Sequence, residues 1–184
     1  MDLVYGLSKE TYAIEPTISF HENLLKNGHV VYSSIEDMLP KYENYFDFIV
    51  CFSVIEHVQD PFLFMKNAFK LLKKGGLIIF STPNSKDILF EMLPDEYPSF
   101  FYRTVHKTYF NKSSLEFISK KIKMINPEII FKHRFGLDNL LNWLNFKKPS
   151  IKKKYTFNQQ LDSNYKSEIE KLGVSDYIYL KSTK

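Results

Sequence analysis

The chain has 184 residues, of which 44% are hydrophobic and 25% charged, and its formal net charge is +4. This length and balance predict one globular domain with a sizeable core. So mild a positive charge gives no reason to expect a nucleic-acid partner. No apolar run approaches the roughly 18 residues of a membrane span. The single cysteine, Cys51, excludes a disulfide within the chain, and MDLVYGLSKE has no secretion-signal layout, so a cytoplasmic protein is expected.

The first part of the chain alternates short β-type runs with helix patterns. After a predicted helix end at Met1–Lys9, the runs Thr11–Ile14, His29–Tyr32 and Phe46–Phe52 predict strands, and Thr17–Asn27 predicts a helix. The third run is the most apolar of these. Its continuous apolarity predicts a strand that is buried on both faces.

The stretch after the third strand gives the clearest helix signals. Asp60 is a good N-cap, Pro61 is a favoured first helical residue, and Gly75-Gly76 is a stop signal. The apolar run Leu77–Phe80 then predicts a fourth strand. Alternating strands and helices predict an α/β fold, in which helices cover both faces of a mostly parallel sheet.

The second part of the chain departs from this alternation, with no evident domain boundary. Aromatic residues crowd the segment from Asp87 to Phe110, and two prolines there argue against one long helix. Ser113 and Glu116 form a capping-box pattern for the next helix. The remaining predictions are a helix at Ser114–Lys121, a strand at Pro127–Phe131, a helix at Leu137–Phe146, a basic loop at Lys147–Lys154, a helix at Gln159–Leu172 and a last strand at Asp176–Lys181.

Polar residues follow the first three predicted strands, and the carboxyl ends of parallel strands share one edge of a sheet. Glu15 ends the first strand, Ser34–Glu36 follows the second, and Ser53–His57 follows the third. Ligands bind at this edge in open α/β sheets, where a carboxylate can accept both hydroxyls of a ribose. The pattern indicates a nucleoside-containing cofactor. As an alternative, Glu15 is an acid that caps the helix predicted to begin at Thr17.

The run FDFIVCFSVIEHVQDPFLFMKNAFKLLKKGGLIIFSTPN resembles class I S-adenosylmethionine-dependent methyltransferases. It matches their E-H-V-x-D-P loop and their Lys-rich Gly-Gly segment, a specific combination. The segments AIEPT and VVYSSIEDM resemble the ends of the family's second and third strands, and RTVHKTYFNKSSLEFI extends the likeness loosely. The resemblance implies a Rossmann-like three-layer α/β sandwich with an antiparallel last strand. It also implies S-adenosylmethionine as the cofactor.

The resemblance further implies roles for individual residues. Glu15 would bind the ribose hydroxyls, while Glu56 and His57 would face the reaction pocket. His57 and His106 are the candidate catalytic bases for a hydroxyl acceptor, and the alternative for each is a structural histidine. Ser34, Ile35 and Glu36 would line the adenine, and Cys51, Phe52 and Ser53 would pass beside the methionine moiety.

The activity implied is methyl transfer to a small molecule or a glycan-type precursor, with no nucleic-acid or membrane partner. A single domain would carry a substrate-side lid at 85–112 and a helical, basic insertion at 137–173. The five histidines and one cysteine show no metal-ligand spacing, so no metal site is expected. A nicotinamide-dependent enzyme is a weaker alternative, because the E-H-V-x-D-P stretch does not fit it.

The family's Gly-rich loop, which follows a first strand, has no counterpart in this sequence, since Gly6 is the only glycine before Gly28. That first strand would lie centrally, between the strands at Thr11–Ile14 and Phe46–Phe52. The expectation is an N-terminally truncated domain, in which these two strands lose a shared neighbour. The alternative function is a catalytically inactive fragment or partner subunit, acting as a homo-oligomer or with a complementing chain.

Overall fold

A computed structural model describes residues 8–149 and 156–184. The predicted helix end at Met1–Lys9 and the basic loop at Lys147–Lys154 lie largely outside these ranges. The elements in chain order are β1 (Tyr12–Ile14), a 3₁₀ turn (Ile18–Phe20), α1 (His21–Lys26), β2 (Val30–Tyr32), α2 (Ile35–Tyr42), β3 (Phe46–Phe52), α3 (Pro61–Leu71), β4 (Leu72–Pro83), α4 (Leu89–Met92), α5 (Tyr97–Phe101), α6 (Lys112–Ile122), β5 (Ile125–Lys132), α7 (Leu137–Phe146), α8 (Gln159–Leu172) and β6 (Tyr177–Thr183).

The strands form two sheets. β1 and β2 pair in parallel, and a second sheet has the order β3-β4-β6-β5. In that second sheet β3 and β4 are parallel, whereas β6 runs antiparallel to both β4 and β5. The predicted α/β class, with a mostly parallel sheet and an antiparallel last strand, is confirmed. None of the helices in the described ranges is long and apolar enough to cross a membrane.

The edge of β3 that faces away from β4 pairs with no strand among the described residues. Phe48, Val50 and Phe52 alternate along β3 and therefore share one face of the strand, on which they are 44–54% exposed. The prediction of a strand buried on both faces is therefore wrong for this part of the chain. The physical reason is that no described element covers this face of β3.

The main hydrophobic core lies against the other face of this sheet, under α2, α3 and α6. Ile78 and Phe80 of β4 are fully buried, as is Leu180 of β6, which is opposite Phe80 in the ladder. Cys51 of β3 is the partner of Phe80 on the other side. β4 is therefore the central strand on which the core is built, and it fixes where β3 ends.

Side-chain caps determine where two of the helices begin. The Asp60 carboxylate accepts a hydrogen bond from the backbone N–H three residues later and begins α3, as the sequence predicts. α6 differs from the prediction, because its N-cap is Asn111 and its capping box is completed by Ser114. Asparagine is among the strongest N-cap residues, so the predicted box of Ser113 and Glu116 does not form.

The start of β4 also differs from the prediction. α3 ends at Leu71 and strand geometry begins at Leu72, so Gly75 and Gly76 lie within β4 and do not terminate the helix. Gly75 has a φ of +81°, and its N–H donates to the carbonyl of Lys184 at 2.6 Å. A left-handed residue of this kind favours glycine. The two glycines thus lie near the start of β4, where the backbone of Gly75 contacts the last residue of the chain.

The packing of β4 can be tested by truncating Phe80 to alanine. We expect Phe80→Ala to lower the free energy of unfolding by about 3–5 kcal/mol, because it removes a fully buried ring from the central strand. Phe117→Ala is the matched control, since that ring is 61% exposed on α6 and its loss should change the free energy by less than about 1 kcal/mol. Urea unfolding followed by circular dichroism measures both. Equal losses in the two variants would contradict this account of the core.

Candidate functional site

The chain turns sharply where β3 ends. Ser53 has a φ of +54°, which is uncommon for a residue other than glycine, and its N–H donates to the carbonyl of Ser81 at 3.0 Å. Its hydroxyl lies 2.5 Å from the Tyr177 hydroxyl of β6. This turn ends the ladder between β3 and β4 and directs the next residues, Val54–Gln59, into a loop at the carboxyl edge of the sheet.

Glu56 is the buried acid of this loop, with only 1% of its surface exposed. Neither of its carboxylate oxygens has a hydrogen-bond partner, and the nearby Thr82 hydroxyl has none either. Burial raises the pKa of the Glu56 carboxyl and outweighs the opposing influence of its own backbone N–H, of His57 and of the Thr82 hydroxyl, which lies near the carboxylate without hydrogen-bond geometry. Buried carboxylates are normally hydrogen-bonded, so this one is poised for a group that the protein itself does not supply.

A second loop, Arg103–Tyr109, lies against the first. The amides of Lys107 and Thr108 donate to the backbone carbonyl of Glu56, at 2.7 and 3.2 Å. Nδ1 of His57 lies 3.0 Å from the carbonyl of Val105. Since a carbonyl can only accept, Nδ1 of His57 carries the proton and Nε2 holds the free lone pair. The two loops are thus joined through both backbone and side-chain contacts.

These contacts bring the two predicted catalytic histidines together. The rings of His57 and His106 pack edge to face, with their centroids 4.8 Å apart. Burial, together with the neighbouring His57 and Arg103, lowers the pKa of His106. Its Nδ1 is buried and has no hydrogen-bond partner. A neutral histidine with an unused ring nitrogen is well suited to accept a proton from an acceptor hydroxyl.

The predicted cofactor residues of the β1–β2 sheet lie at the carboxyl ends of those strands. The Glu15 N–H donates to the carbonyl of Tyr32 at 2.9 Å, which places Glu15 beside the start of α2. One carboxylate oxygen of Glu15 accepts from the N–H of Thr17, the N-cap residue itself, at 2.8 Å, so Glu15 borders the helix start without capping it and the other oxygen is left for a ligand. Ser34 is the N-cap of α2.

The other predicted cofactor residues divide into exposed and buried ones. Glu36 is exposed and accepts a hydrogen bond from Asn67 of α3 at 3.3 Å, which joins α2 to α3. Phe52 and Ser53 are also exposed. The side chains of Ile35 and Cys51 belong to the hydrophobic core. Burial, and the nearby Glu56, raise the pKa of the Cys51 thiol to about 12, so this thiol is unreactive.

A buried polar cluster behind the aromatic segment was missed by the sequence analysis. The Tyr97 hydroxyl donates to Asp87 at 2.6 Å, and both residues are buried. The guanidinium and backbone N–H of Arg134 donate to Asp176, at 2.6 and 2.8 Å, and His133 lies 3.3 Å from it. The sequence did contain a signal for this cluster, because Asp87 and Asp176 are acidic residues that stand next to apolar runs. The cluster borders a cavity of about 260 Å³, which α7 and α8 also line.

Opposing effects determine the charge of the two carboxylates in this cluster. Burial raises the pKa of Asp87, and the hydrogen bond from Tyr97 offsets this only in part. Burial also disfavours the charged form of Asp176, but the nearby His133 ring and the hydrogen bonds from Arg134 outweigh burial and lower its pKa. Asp176 therefore stabilises the fold at neutral pH and holds the start of β6 to the end of β5.

Asp176→Asn should lower the free energy of unfolding at pH 7 by about 2–3 kcal/mol, since it weakens charge-assisted hydrogen bonds at a buried site. Because the folded-state pKa lies below the unfolded value of about 3.9, this contribution is fully present above pH 4 and is lost as the pH falls through the folded pKa. Urea unfolding should show a smaller difference in the free energy of unfolding between the parent chain and Asp176→Asn at pH 3 than at pH 7. Asp47→Asn, at an 84% exposed side chain paired with Lys73, is the control, and an effect as large there would contradict the argument.

Three comparisons relate this chain to known proteins. A family model described as a methyltransferase domain matches residues 5–122. A ubiquinone biosynthesis O-methyltransferase of Nitrosospira multiformis is 34% identical over 80 residues, which are 41% of this chain and 34% of that protein. The same-named protein of Coxiella burnetii is 40% identical over 63 residues, 33% of this chain and 27% of its own length. The match thus spans about a third of the length of these relatives.

Solved structures show the same fold. An S-adenosylmethionine-dependent methyltransferase of Archaeoglobus fulgidus superimposes with a TM-score of 0.64 and 16% identity, over 100% of this chain and 80% of that one. A related structure from Thermotoga maritima has a TM-score of 0.62 and 20% identity, over 98% and 75% of the two chains. The family model covers more than half of the sequence. The chain therefore belongs to the S-adenosylmethionine-dependent methyltransferase family.

Proposed function

We propose that this chain transfers a methyl group from S-adenosylmethionine to a hydroxyl of a small molecule or a glycan-type precursor. One observation carries the proposal. In a chain of this family, the tertiary structure joins His57, His106 and the unpartnered carboxylate of Glu56 at the carboxyl end of β3. Ligands of open α/β sheets bind at this edge. The relatives with sequence similarity are named O-methyltransferases, which favours oxygen as the acceptor atom.

The exposed polar groups at the strand ends would hold the cofactor. Glu15 would bind the ribose through the carboxylate oxygen that Thr17 does not use. The start of α2, with Ser34, Ile35 and Glu36, would line the adenine, with Ile35 contributing through its backbone because its side chain is buried. Cys51, Phe52 and Ser53 would pass beside the methionine moiety. The bound cofactor supplies an already activated methyl group on a sulfonium.

The remaining task of the protein is to align the acceptor and remove its proton. His106 is the better placed base, because its lowered pKa keeps it neutral and its buried Nδ1 is unused. His57 would orient it, since the rings are in contact and Nδ1 of His57 is held by the carbonyl of Val105. Proper alignment supplies much of the catalysis in a transfer of this kind.

Segment 85–112 would form the acceptor side as a lid. Its aromatic residues run in contact from the site to the cavity: the Tyr109 ring lies 5.6 Å from His106 and 5.5 Å from Phe101. Phe101 in turn packs on Tyr97, with ring centroids 5.8 Å apart. Helices from the insertion at 137–173 close the far side, where Trp143 contacts Tyr97 at 5.2 Å. Such a wall favours an acceptor with an apolar part.

The proposal predicts that substitution of Glu15 weakens cofactor binding, whereas substitution of His106 slows methyl transfer without weakening that binding. Purified chain should bind S-adenosylhomocysteine in calorimetry, and Glu15→Gln should weaken this binding at least about tenfold by removing a charged acceptor for ribose hydroxyls. His106→Ala should retain the binding but lower the rate of methyl transfer by about 10²–10⁴-fold. Transfer is measured with radiolabelled cofactor against a panel of catechols and sugar derivatives.

Glu22→Gln is the matched control for Glu15→Gln. Its carboxylate is 79% exposed and, among the described residues, pairs with Lys26 on the same helix, so ligand binding should be unchanged. An absence of binding at millimolar S-adenosylhomocysteine would overturn the proposal for this chain. So would equal weakening by both glutamate variants.

A second candidate function follows from the open edge of β3. The chain would act as a subunit that a complementing chain completes, by adding a parallel apolar strand and a Gly-rich loop between β1 and β3. Tyr12 of β1 packs edge to face on Phe46 of β3, with centroids 5.1 Å apart, so the two sheets lie side by side. Phe48, Val50 and Phe52 offer the added segment an apolar surface. Strand addition to an exposed edge is a recurrent mode of association.

This second candidate predicts the opposite result for the chain by itself. Alternate amides of β3, those that point away from β4, should exchange hydrogen quickly, because no described strand accepts their hydrogen bonds. S-adenosylhomocysteine should then fail to bind. Residue-resolved hydrogen exchange by NMR, with the mass from light scattering, measures this. A monomer in which every β3 amide is protected, or which binds the ligand, would exclude the second candidate.

A further inference from the structure

Glu56, His57 and His106 form a cluster with the composition of a metal site. One carboxylate oxygen and one ring nitrogen from each histidine all lie within 4.8 Å of one another. The sequence shows no metal-ligand spacing, because His106 comes from a loop about fifty residues away from the other two. Glu56 is buried, His106 is partly buried, and His57 is exposed. His57 is therefore the solvent-exposed member of the cluster.

The state of Glu56 is what points to a cation. Both of its oxygens are unpartnered at 1% exposure, and no lysine or arginine in the described ranges forms an ion pair with it. Leaving a buried polar group unsatisfied costs about 1–3 kcal/mol, and more when the group is charged. A bound cation would satisfy both the charge and the lone pairs of this carboxylate.

His57 is also arranged as metal-binding histidines are. His57 donates from Nδ1 to the carbonyl of Val105 at 3.0 Å, which fixes the ring and leaves the lone pair on Nε2. Histidines that bind metals almost always make such a hydrogen bond with their other nitrogen. The buried Nδ1 of His106 has no partner. The backbone contacts between the loops hold the two rings in place without occupying these nitrogens.

We propose that Glu56, His57 and His106 bind one divalent transition-metal cation of the zinc type. Two imidazoles and one carboxylate are a common ligand set for catalytic zinc, whereas magnesium and calcium prefer oxygen ligands throughout. Ligand atoms about 2.1 Å from a tetrahedral zinc ion lie about 3.4 Å apart, so the longest separation in the cluster, up to 4.8 Å, must contract by up to about 1.4 Å. The exposed loop segment that carries His57 would have to move together with its ring to make this contraction.

Three protein ligands would leave one coordination position open. If the proposed function holds, this position would take the acceptor oxygen, and the cation would lower the pKa of the hydroxyl that His106 would otherwise deprotonate. Metal binding itself does not rest on that function. It can therefore be measured without cofactor or acceptor.

The test uses the whole chain, without a polyhistidine tag and stripped with EDTA. Zn²⁺ titration by calorimetry should give one site per chain, and Co²⁺ should produce visible d–d absorption that saturates at the same stoichiometry. His57→Ala and Glu56→Gln should each weaken Zn²⁺ binding more than tenfold, since even the loss of an outer hydrogen-bond partner costs 10–100-fold. His21→Ala removes a histidine outside the cluster and should leave the binding unchanged.

Either of two results would overturn the proposal: no stoichiometric Zn²⁺ or Co²⁺ binding, or binding that is the same in the chain, His57→Ala and Glu56→Gln. His57→Ala changes an exposed side chain, so a folded variant is expected, and circular dichroism checks this. Calorimetry with S-adenosylhomocysteine on the EDTA-stripped chain separates the two hypotheses. If the chain binds S-adenosylhomocysteine but not Zn²⁺, only the metal-site proposal is overturned. If it binds Zn²⁺ but not S-adenosylhomocysteine, only the proposed transferase function is overturned.

Discussion

The backbone carbonyl of Glu56 accepts hydrogen bonds from two consecutive amides, those of Lys107 and Thr108, and the candidate site depends on this junction. One loop follows β3 and the other precedes α6, so only tertiary structure brings them together. The carbonyl of Val105 holds His57 in the same junction. Because the contacts are mostly backbone, they position His57 and His106 while leaving their remaining ring nitrogens unpaired.

The junction is possible because of the strands beneath it. β4 is fully buried at Ile78 and Phe80, and it is bonded to β3 on one side and β6 on the other. Its central position sets the point at which β3 stops, and the left-handed Ser53 turns the chain there. The buried carboxylate of Glu56 is unfavourable for stability by itself. A well-packed core can offset such a cost, and unsatisfied groups of this kind concentrate at functional sites.

The open edge of β3 is the other constraint. An exposed apolar edge strand is normally covered, paired or charged in a soluble protein. Within the described part of the chain this edge of β3 is neither covered nor paired, and the charge of Asp47 lies on the opposite face of the strand. The exposed Phe48, Val50 and Phe52 lie beside the residues expected to meet the methionine end of the cofactor. Whether a further strand covers this edge of β3 therefore affects how well the chain can bind the cofactor.

Much of the fold was predictable from local signals, since periodicity and caps act over a few residues. α7 and α8 have the predicted bounds, and Asp60 begins α3 as expected. Errors arose where two local signals competed, as when Asn111 displaced Ser113 as N-cap, or where a tertiary contact decided, as when Gly75 bonded to Lys184 within β4. The exposure of β3 was unpredictable, because a residue pattern cannot show whether a covering element is present.

The sequence by itself determined the family and most of the strands and longer helices, because these depend on motifs and on local periodicity, but it did not predict α2, α4 or α5. It also singled out His57 and His106 separately. Only the tertiary structure decided that their rings touch, that Glu56 is buried without a partner, and that Asp176 joins Arg134 and His133. The physical reason is that burial and side-chain pairing arise between segments distant in sequence, and no local pattern encodes them.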